Sequence, residues 1–158
     1  MSDRTRGKLI VIEGLDGSGK ATQAKRLAAA LQQEGKAVRE ISFPNYDSES
    51  SALVKMYLAG AFGSDPGDVN AFAASTFYAV DRYAGMKQDW GKFYDDGGIL
   101  IADRYTTSNA VHQCCKLPEE KWNAYLDWLF RFEYEMLGLP APDLVVYLRL
   151  EIDASQRL

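Results

Sequence analysis

Apolar runs of four or five residues alternate along this chain with longer stretches in which apolar positions recur every three or four residues. The first run, Leu9-Ile10-Val11-Ile12, reads as a buried strand and passes into a glycine-rich turn, Gly14 to Gly19. Ala21, Ala24, Leu27, Ala28 and Leu31 then keep helical spacing, with Lys25, Arg26, Gln32, Gln33 and Glu34 largely on other faces, and Gly35 is a natural helix stop. Ala37 to Phe43 alternates as a short second strand, which Pro44 ends because proline has no N–H for the ladder. Asn45 to Ser50 is a polar loop. Leu53, Val54, Tyr57, Leu58 and Ala61 mark a short helix closed by Gly60 to Gly63, and Ser64 to Asp68 is dense in turn residues.

The spacing of Phe72, Thr76, Phe77, Val80 and Tyr83 predicts a long helix that starts near Asp68 and continues past Gly85 towards Trp90 and Phe93. Asp95 to Gly98 is a turn. Ile99 to Asp103 is an apolar strand ending in an acid. Pro118-Glu119-Glu120 opens another helix, with proline in the first turn and acids near its positive end. That helix carries Trp122, Tyr125, Leu126, Leu129, Phe130, Phe132 and Met136 and stops at Gly138. Its aromatics fall on more than one face; core packing accounts for most, and a subunit contact is the alternative. Leu144 to Leu148 is expected as another buried strand, and Asp153 to Leu158 opens a further helix. Strands alternating with helices, the strands mostly continuous in their apolar character, predict an α/β fold: a parallel sheet covered by helices on both faces. In such a sheet ligands bind beyond the carboxyl ends of the strands.

Length and composition narrow the partners. A chain of 158 residues, 47% apolar and 25% charged, fits a single globular domain over 1–158. A net charge of −4 argues against a general nucleic-acid binder, so any phosphate site is local. Met1 to Lys8 is polar and has no apolar core for a signal peptide, and no run approaches the ~18 apolar residues of a membrane span. The only two cysteines, Cys114 and Cys115, are adjacent and lack metal-ligand spacing. They read as reduced thiols, and the expected location is cytoplasmic.

The chemistry concentrates where the strands end. Gly14, Gly19 and Lys20 hold the spacing of a phosphate-binding P-loop, G-x-x-x-x-G-K-[ST], with Gly17 between them. Glycines let successive backbone N–H groups turn inward on an anion, and the following helix adds its unpaired N–H groups and positive dipole end. Ala21 stands where the motif has a hydroxyl, with Thr22 one place later. That disfavours proteins that grip magnesium directly from this loop and suits nucleotide kinases that hold it through water. Asp103 ends a strand where P-loop enzymes place the magnesium carboxylate; an acid that caps a loop or pairs with a base is the alternative. Arg104 follows it, as a phosphate fork or as a surface ion pair.

The set IEGLDGSGKATQ (Ile12 to Gln23), Phe43-Pro44, FYAVDR (Phe77 to Arg82), DRYTTSNAVHQ (Asp103 to Gln113) and PDLVVYL (Pro142 to Leu148) resembles the thymidylate kinase family in order and spacing. The resemblance implies a three-layer P-loop kinase fold and transfer of the γ-phosphoryl group of ATP to dTMP, with Mg²⁺. It implies that Gly14, Asp16, Gly17, Ser18, Gly19, Lys20, Ala21 and Thr22 hold ATP. It implies that Asp16 meets the sugar 3′-hydroxyl, Arg104 the dTMP phosphate and Asp103 the magnesium shell, with Asp16, Lys20 and Arg104 the catalytic set. It implies that Phe43, Tyr78, Arg82, Ser108, Asn109 and His112 line the acceptor site, with Tyr78 stacking on thymine and Arg82 bonding a base carbonyl. On the residues alone, Tyr78 is also explained by core packing, Arg82 by an ion pair with Asp81 or another helix acid, and Ser108 and Asn109 by capping the helix after Asp103. His112 reads as pocket-lining or structural. The chain departs from the family at Ala21, at Asn45 where an arginine is common, and at His112. It also stops before the family's lid, last strand and C-terminal helix. The family implies a homodimer. Two rival readings are a P-loop kinase for another nucleoside monophosphate or nucleoside, and a nucleotide-binding protein without turnover.

Overall fold

A computed structural model describes residues 6–150, so the helix expected to open at Asp153 lies outside the described residues. The chain forms two compact units. One comprises residues 6–42, 90–105 and 141–150, and the other residues 43–89 and 106–140.

The first unit is the sheet. Strands β1 (Lys8–Gly14), β2 (Val38–Ser42), β3 (Ile99–Asp103) and β4 (Leu144–Leu148) form one parallel sheet in the order β2-β3-β1-β4. Ile12 faces Asp103 in the β1–β3 register and Ser42 faces Asp103 in the β2–β3 register, so the strand ends that carry chemistry lie side by side. Helix α1 (Lys20–Gln33) lays Ala24 and Ala28, with Leu27 and Leu31, on the face made by Ile10, Ile12, Ile99, Ile101 and Val146. Leu9, Val11, Leu100 and Ala102, on the opposite face, are equally buried. Both faces of the central strands are therefore inside, as continuous apolar runs require.

Strand β4 corrects one expectation. Its residues are not buried: Leu144, Val145 and Tyr147 are exposed, because β4 pairs only with β1 and forms an edge among the described strands. An apolar run alone does not distinguish a central strand from an edge strand. Asp143 ties β4 to β1 at its start, accepting from the Leu9 N–H at 2.8 Å and from Lys8 Nζ at 2.9 Å.

The second unit is helical. The structure contains α2 (Ala52–Leu58), α3 (Ala71–Gly85), α5 (Thr106–Cys114) and α6 (Trp122–Phe130). Helix α3 starts at Ala71, after the sequence-based boundary, because Asn70 caps it by accepting from the Ala73 N–H at 2.9 Å. Past Gly85 the chain stays helical as expected, through a π-helical turn (Met86–Trp90) into α4 (Gly91–Asp95), which belongs to the sheet unit. The helix expected from Pro118 is a 3₁₀ turn, then α6, then a π-helical segment, Arg131–Met136. Ala71, Tyr125 and Leu129 form its core with Cys114, and the rings of Trp128 and Phe132 stack at 5.2 Å. Both cysteines are free thiols. No helix among the described residues is long and apolar enough to cross a membrane.

Candidate active site

In the sheet unit, β1 turns through Leu15 to Gly19 into α1. Gly17 and Gly19 take φ of 75° and 83°, a left-handed conformation that L side chains rarely adopt. At Gly14 a side chain would lie 2.6 Å from Ser18 Oγ and 2.9 Å from the Leu148 carbonyl, so the loop needs a bare backbone there. Helix α1 begins at Lys20 with no side-chain cap, which leaves its first N–H groups to an anion. Lys20 folds back over the loop and donates to the Leu15 carbonyl at 2.7 Å. Burial lowers its pKa, and the nearby Arg104 guanidinium lowers it further against the pull of Asp103, Asp16 and Glu13. Ser18 is buried and its Oγ has no hydrogen-bond partner; Ala21 and Thr22 are exposed.

At the end of β3, Asp103 keeps a buried Oδ1 with no hydrogen-bond partner, and burial raises its pKa against Lys20 and Arg104. Arg104 takes φ of 68°, the one left-handed non-glycine among the described residues, and its N–H donates to the Ile12 carbonyl at 3.1 Å. Such a backbone costs on the order of 1–3 kcal/mol and recurs at functional sites. Here it swings the guanidinium back to the loop, where it pairs with the exposed Asp16 carboxylate. The structure thus brings Asp16, Lys20, Asp103 and Arg104 together at one end of the sheet. It adds Glu13, which the sequence reading passed over. Glu13 is buried at the end of β1 and accepts from the Tyr105 N–H at 3.2 Å. The available signal was an acid closing an apolar strand, the same pattern that singled out Asp103.

The helical unit holds the other candidates. Phe43 is buried and joined to Pro44 by a cis peptide bond. Asp81, also buried, accepts from the Asn45 N–H at 2.8 Å and from Ser50 Oγ at 2.5 Å, which fixes the loop after Pro44. Tyr78 is half-buried and meets Tyr57 edge to face at 6.4 Å. Ser108 is half-buried on α5, and His112, in the last turn of that helix, is exposed.

Arg82 is buried and does form an ion pair, with Glu133 rather than Asp81. Its Nε donates to Glu133 Oε2 at 2.8 Å and its Nη2 to Oε1 at 2.5 Å. The same Nη2 donates to Asn109 Oδ1 at 3.0 Å, and Thr106 Oγ1 donates to Glu133 Oε2 at 2.7 Å. Burial pushes the Tyr125 and Tyr134 hydroxyls up to about 12, so both stay neutral donors; the Tyr125 hydroxyl lies 3.3 Å from the Asn109 carbonyl. Glu133 and Thr106 also escaped the sequence reading. Glu133 follows Tyr125 and Leu129 at four-residue intervals, so a carboxylate on the buried face of an aromatic helix was the signal.

A glycine loop opening a helix, a lysine over it, and an acid and arginine at the next strand of a parallel sheet define a P-loop nucleotide kinase. The family model described as Thymidylate kinase matches residues 12–158. Thymidylate kinase of Mycobacterium tuberculosis is 34% identical over 151 residues, covering 93% of this chain and 68% of the relative. The human enzyme is 32% identical over 153 residues, covering 96% of this chain and 66% of its own length. The solved structure of thymidylate kinase from Candida albicans superposes with a TM-score of 0.72 at 28% identity, covering 97% of this chain and 67% of that one. The chain belongs to the thymidylate kinase family, ATP-dependent nucleoside monophosphate kinases whose function is phosphorylation of dTMP. It spans about two thirds of the length of these relatives.

Proposed function

We propose that this chain transfers the γ-phosphoryl group of ATP to dTMP, giving dTDP and ADP, with the work divided between the two groups of residues. The loop from Gly14 through Gly17, Ser18 and Gly19 to Lys20, with the first turn of α1 at Ala21 and Thr22, receives the ATP phosphates on backbone N–H groups. Lys20 places its charge on the transferring group. Arg104 leaves Asp16 to grip the dTMP phosphate, which frees the Asp16 carboxylate for the sugar 3′-hydroxyl. An exposed ion pair is a suitable resting partner, because it is worth at most about 1 kcal/mol and is easily exchanged. Such transfer is catalysed by holding donor and acceptor in line and offsetting their charge. Phe43, Tyr78, Arg82, Ser108, Asn109 and His112 receive the nucleoside, Tyr78 offering its ring to the base.

Magnesium fits this residue set. No cluster of three or more His, Cys, Asp or Glu side chains suited to a metal occurs among the described residues. A nucleotide-bound Mg²⁺ needs none, since phosphates and waters supply most of its ligands and one or two carboxylates suffice. The unpartnered, buried Oδ1 of Asp103 is the observation that supports the site, with Glu13 beside it. The ion would neutralise charge on the phosphates between which the group passes.

The observation that carries the proposal is the convergence of Lys20, Asp103, Arg104 and Asp16 on the glycine loop in a chain of this family. ADP release with Mg-ATP and dTMP, run beside dUMP, dCMP and dAMP, tests it. Turnover with dTMP above the others is expected. Turnover best with another acceptor overturns the substrate, and binding of dTMP without turnover overturns the activity.

A further inference from the structure

Arg82 and Glu133 are among the most deeply buried side chains of the helical unit, at 1% and 0% exposure. A buried ion pair is not a cheap way to stabilise a core, because desolvating both charges offsets most of their attraction. Its geometry here is specific. Glu133 takes the Nε–Nη2 edge of the guanidinium with both carboxylate oxygens, and Thr106 holds one of those oxygens from α5. The carboxylate therefore fixes the plane of Arg82. It also cancels its charge, so the pair suits a neutral group with directional acceptors rather than a phosphate.

The grip extends to a fourth residue. Arg82 has only donors, so the atom of Asn109 that faces Nη2 is the amide oxygen. The opposite atom, Nδ2, is then a donor. Asn109 is 3% exposed, and this Nδ2 has no hydrogen-bond partner. A buried donor without an acceptor is costly, so it marks where an acceptor from outside the protein is expected. Glu133 lies in the π-helical segment Arg131–Met136, a rare distortion that concentrates at functional sites.

We propose that Glu133, supported by Thr106, is a positioning residue for base selection: through Arg82 it locks the Asn109 amide with its NH₂ presented to the acceptor base. The inference rests on the dTMP reading above. Thymine carries an acceptor at its 4-position where cytosine carries a donor. At the ring nitrogen next to it the two bases differ in the opposite sense. An NH₂ locked towards the 4-position therefore favours thymine over cytosine, whereas at the ring nitrogen it would favour cytosine; a dTMP preference places it at the 4-position, and an amide free to turn over accepts both bases.

Glu133→Gln and Thr106→Val test this, with dTMP, dCMP and ATP affinities measured by calorimetry and KM and kcat measured for each nucleotide. Values are referred to the folded fraction from a denaturation curve. Thr106→Val keeps the shape of the side chain and leaves the ion pair intact, so it reports even where Glu133→Gln folds poorly. The expected result is a fall in dTMP-over-dCMP preference of about tenfold or more for Glu133→Gln and about threefold for Thr106→Val, the scale of one charged and one neutral hydrogen bond. The change lies in KM for the acceptor, with KM for ATP unmoved. Wild-type preference retained in both variants, with only stability reduced, overturns the positioning role and leaves the dTMP reading standing. A wild-type protein that shows no preference for dTMP overturns both.

Discussion

Two arginine–carboxylate pairs show how differently this chain uses the same chemistry. Arg104 pairs with Asp16, whose side chain is 94% exposed, across 88 residues of sequence. Arg82 pairs with Glu133 in the interior, and the partners are 51 residues apart. The first pair faces water and follows from a left-handed backbone, so on the proposed reading a phosphate competes for it at little cost. The second is held by two directed hydrogen bonds and a supporting threonine, and nothing replaces it without leaving a buried charge. On the proposed reading, the cation that changes partners during the reaction lies in the water-facing pair, and the cation that only points lies inside.

The largest test of that contrast is Lys20→Ala. On the proposed reading it removes the charge that meets the transferring group, and turnover falls by about a thousandfold while dTMP affinity stays near that of the wild type. Calorimetry and steady-state rates separate the two. Because burial lowers the pKa of Lys20, turnover in the parent protein is lost as pH rises at a lower pH than a free lysine would dictate.

Next in size is the interior pair. Glu133→Leu strands the Arg82 cation and costs about 3–5 kcal/mol in urea unfolding. Adding Arg82→Met returns stability to within about 1 kcal/mol of the parent, yet dTMP binding stays weak. Recovery of both together breaks the comparison, since the pair would then serve packing alone.

Asp103→Asn moves activity and stability in opposite directions. Turnover falls by about tenfold to a hundredfold through a weakened magnesium shell. Burial raises the folded pKa of Asp103 above its unfolded value, so its charge opposes folding at neutral pH and ceases to do so as pH falls through the folded pKa. The asparagine variant therefore melts higher than the parent at pH 7, and the gain disappears in acid.

Lys8→Ala is the smallest change. Lys8 is 64% exposed, and its loss costs no more than about 0.5 kcal/mol. Burial pushes the Asp143 carboxyl up, but the Leu9 N–H and Lys8 together hold it below its ordinary value. Its stabilisation is present above the unfolded pKa and is lost as pH falls through the folded one. The Leu9 hydrogen bond survives in the variant, so most of that acid sensitivity remains in a pH series of melting curves.

The glycine loop and the strand ends beside it were legible because their instructions are local. Left-handed backbone at Gly17 and Gly19 favours glycine, Lys20 follows directly, and Asp103 closes, with Arg104 just after it, a strand whose apolar run is visible by inspection. Glu13 obeys the same pattern, an acid at the end of an apolar strand. The residues proposed for the acceptor side could be listed from the sequence, but their arrangement could not. Tyr78 and Arg82 share a face of α3 by their four-residue spacing, but Glu133 opposite Arg82 does not follow from spacing on either helix.

By itself, the sequence determined the alternation of strands and helices, the parallel sheet, the glycine loop and the residues at the strand ends. Each depends on backbone preferences or on periodicity within about a dozen residues. Only the tertiary structure decided that β4 is an edge among the described strands, that Arg104 turns back to Asp16, and that Glu133 rather than Asp81 holds Arg82. These depend on which segments meet after the chain has folded, and a buried charge takes the partner that the packing brings within hydrogen-bond reach.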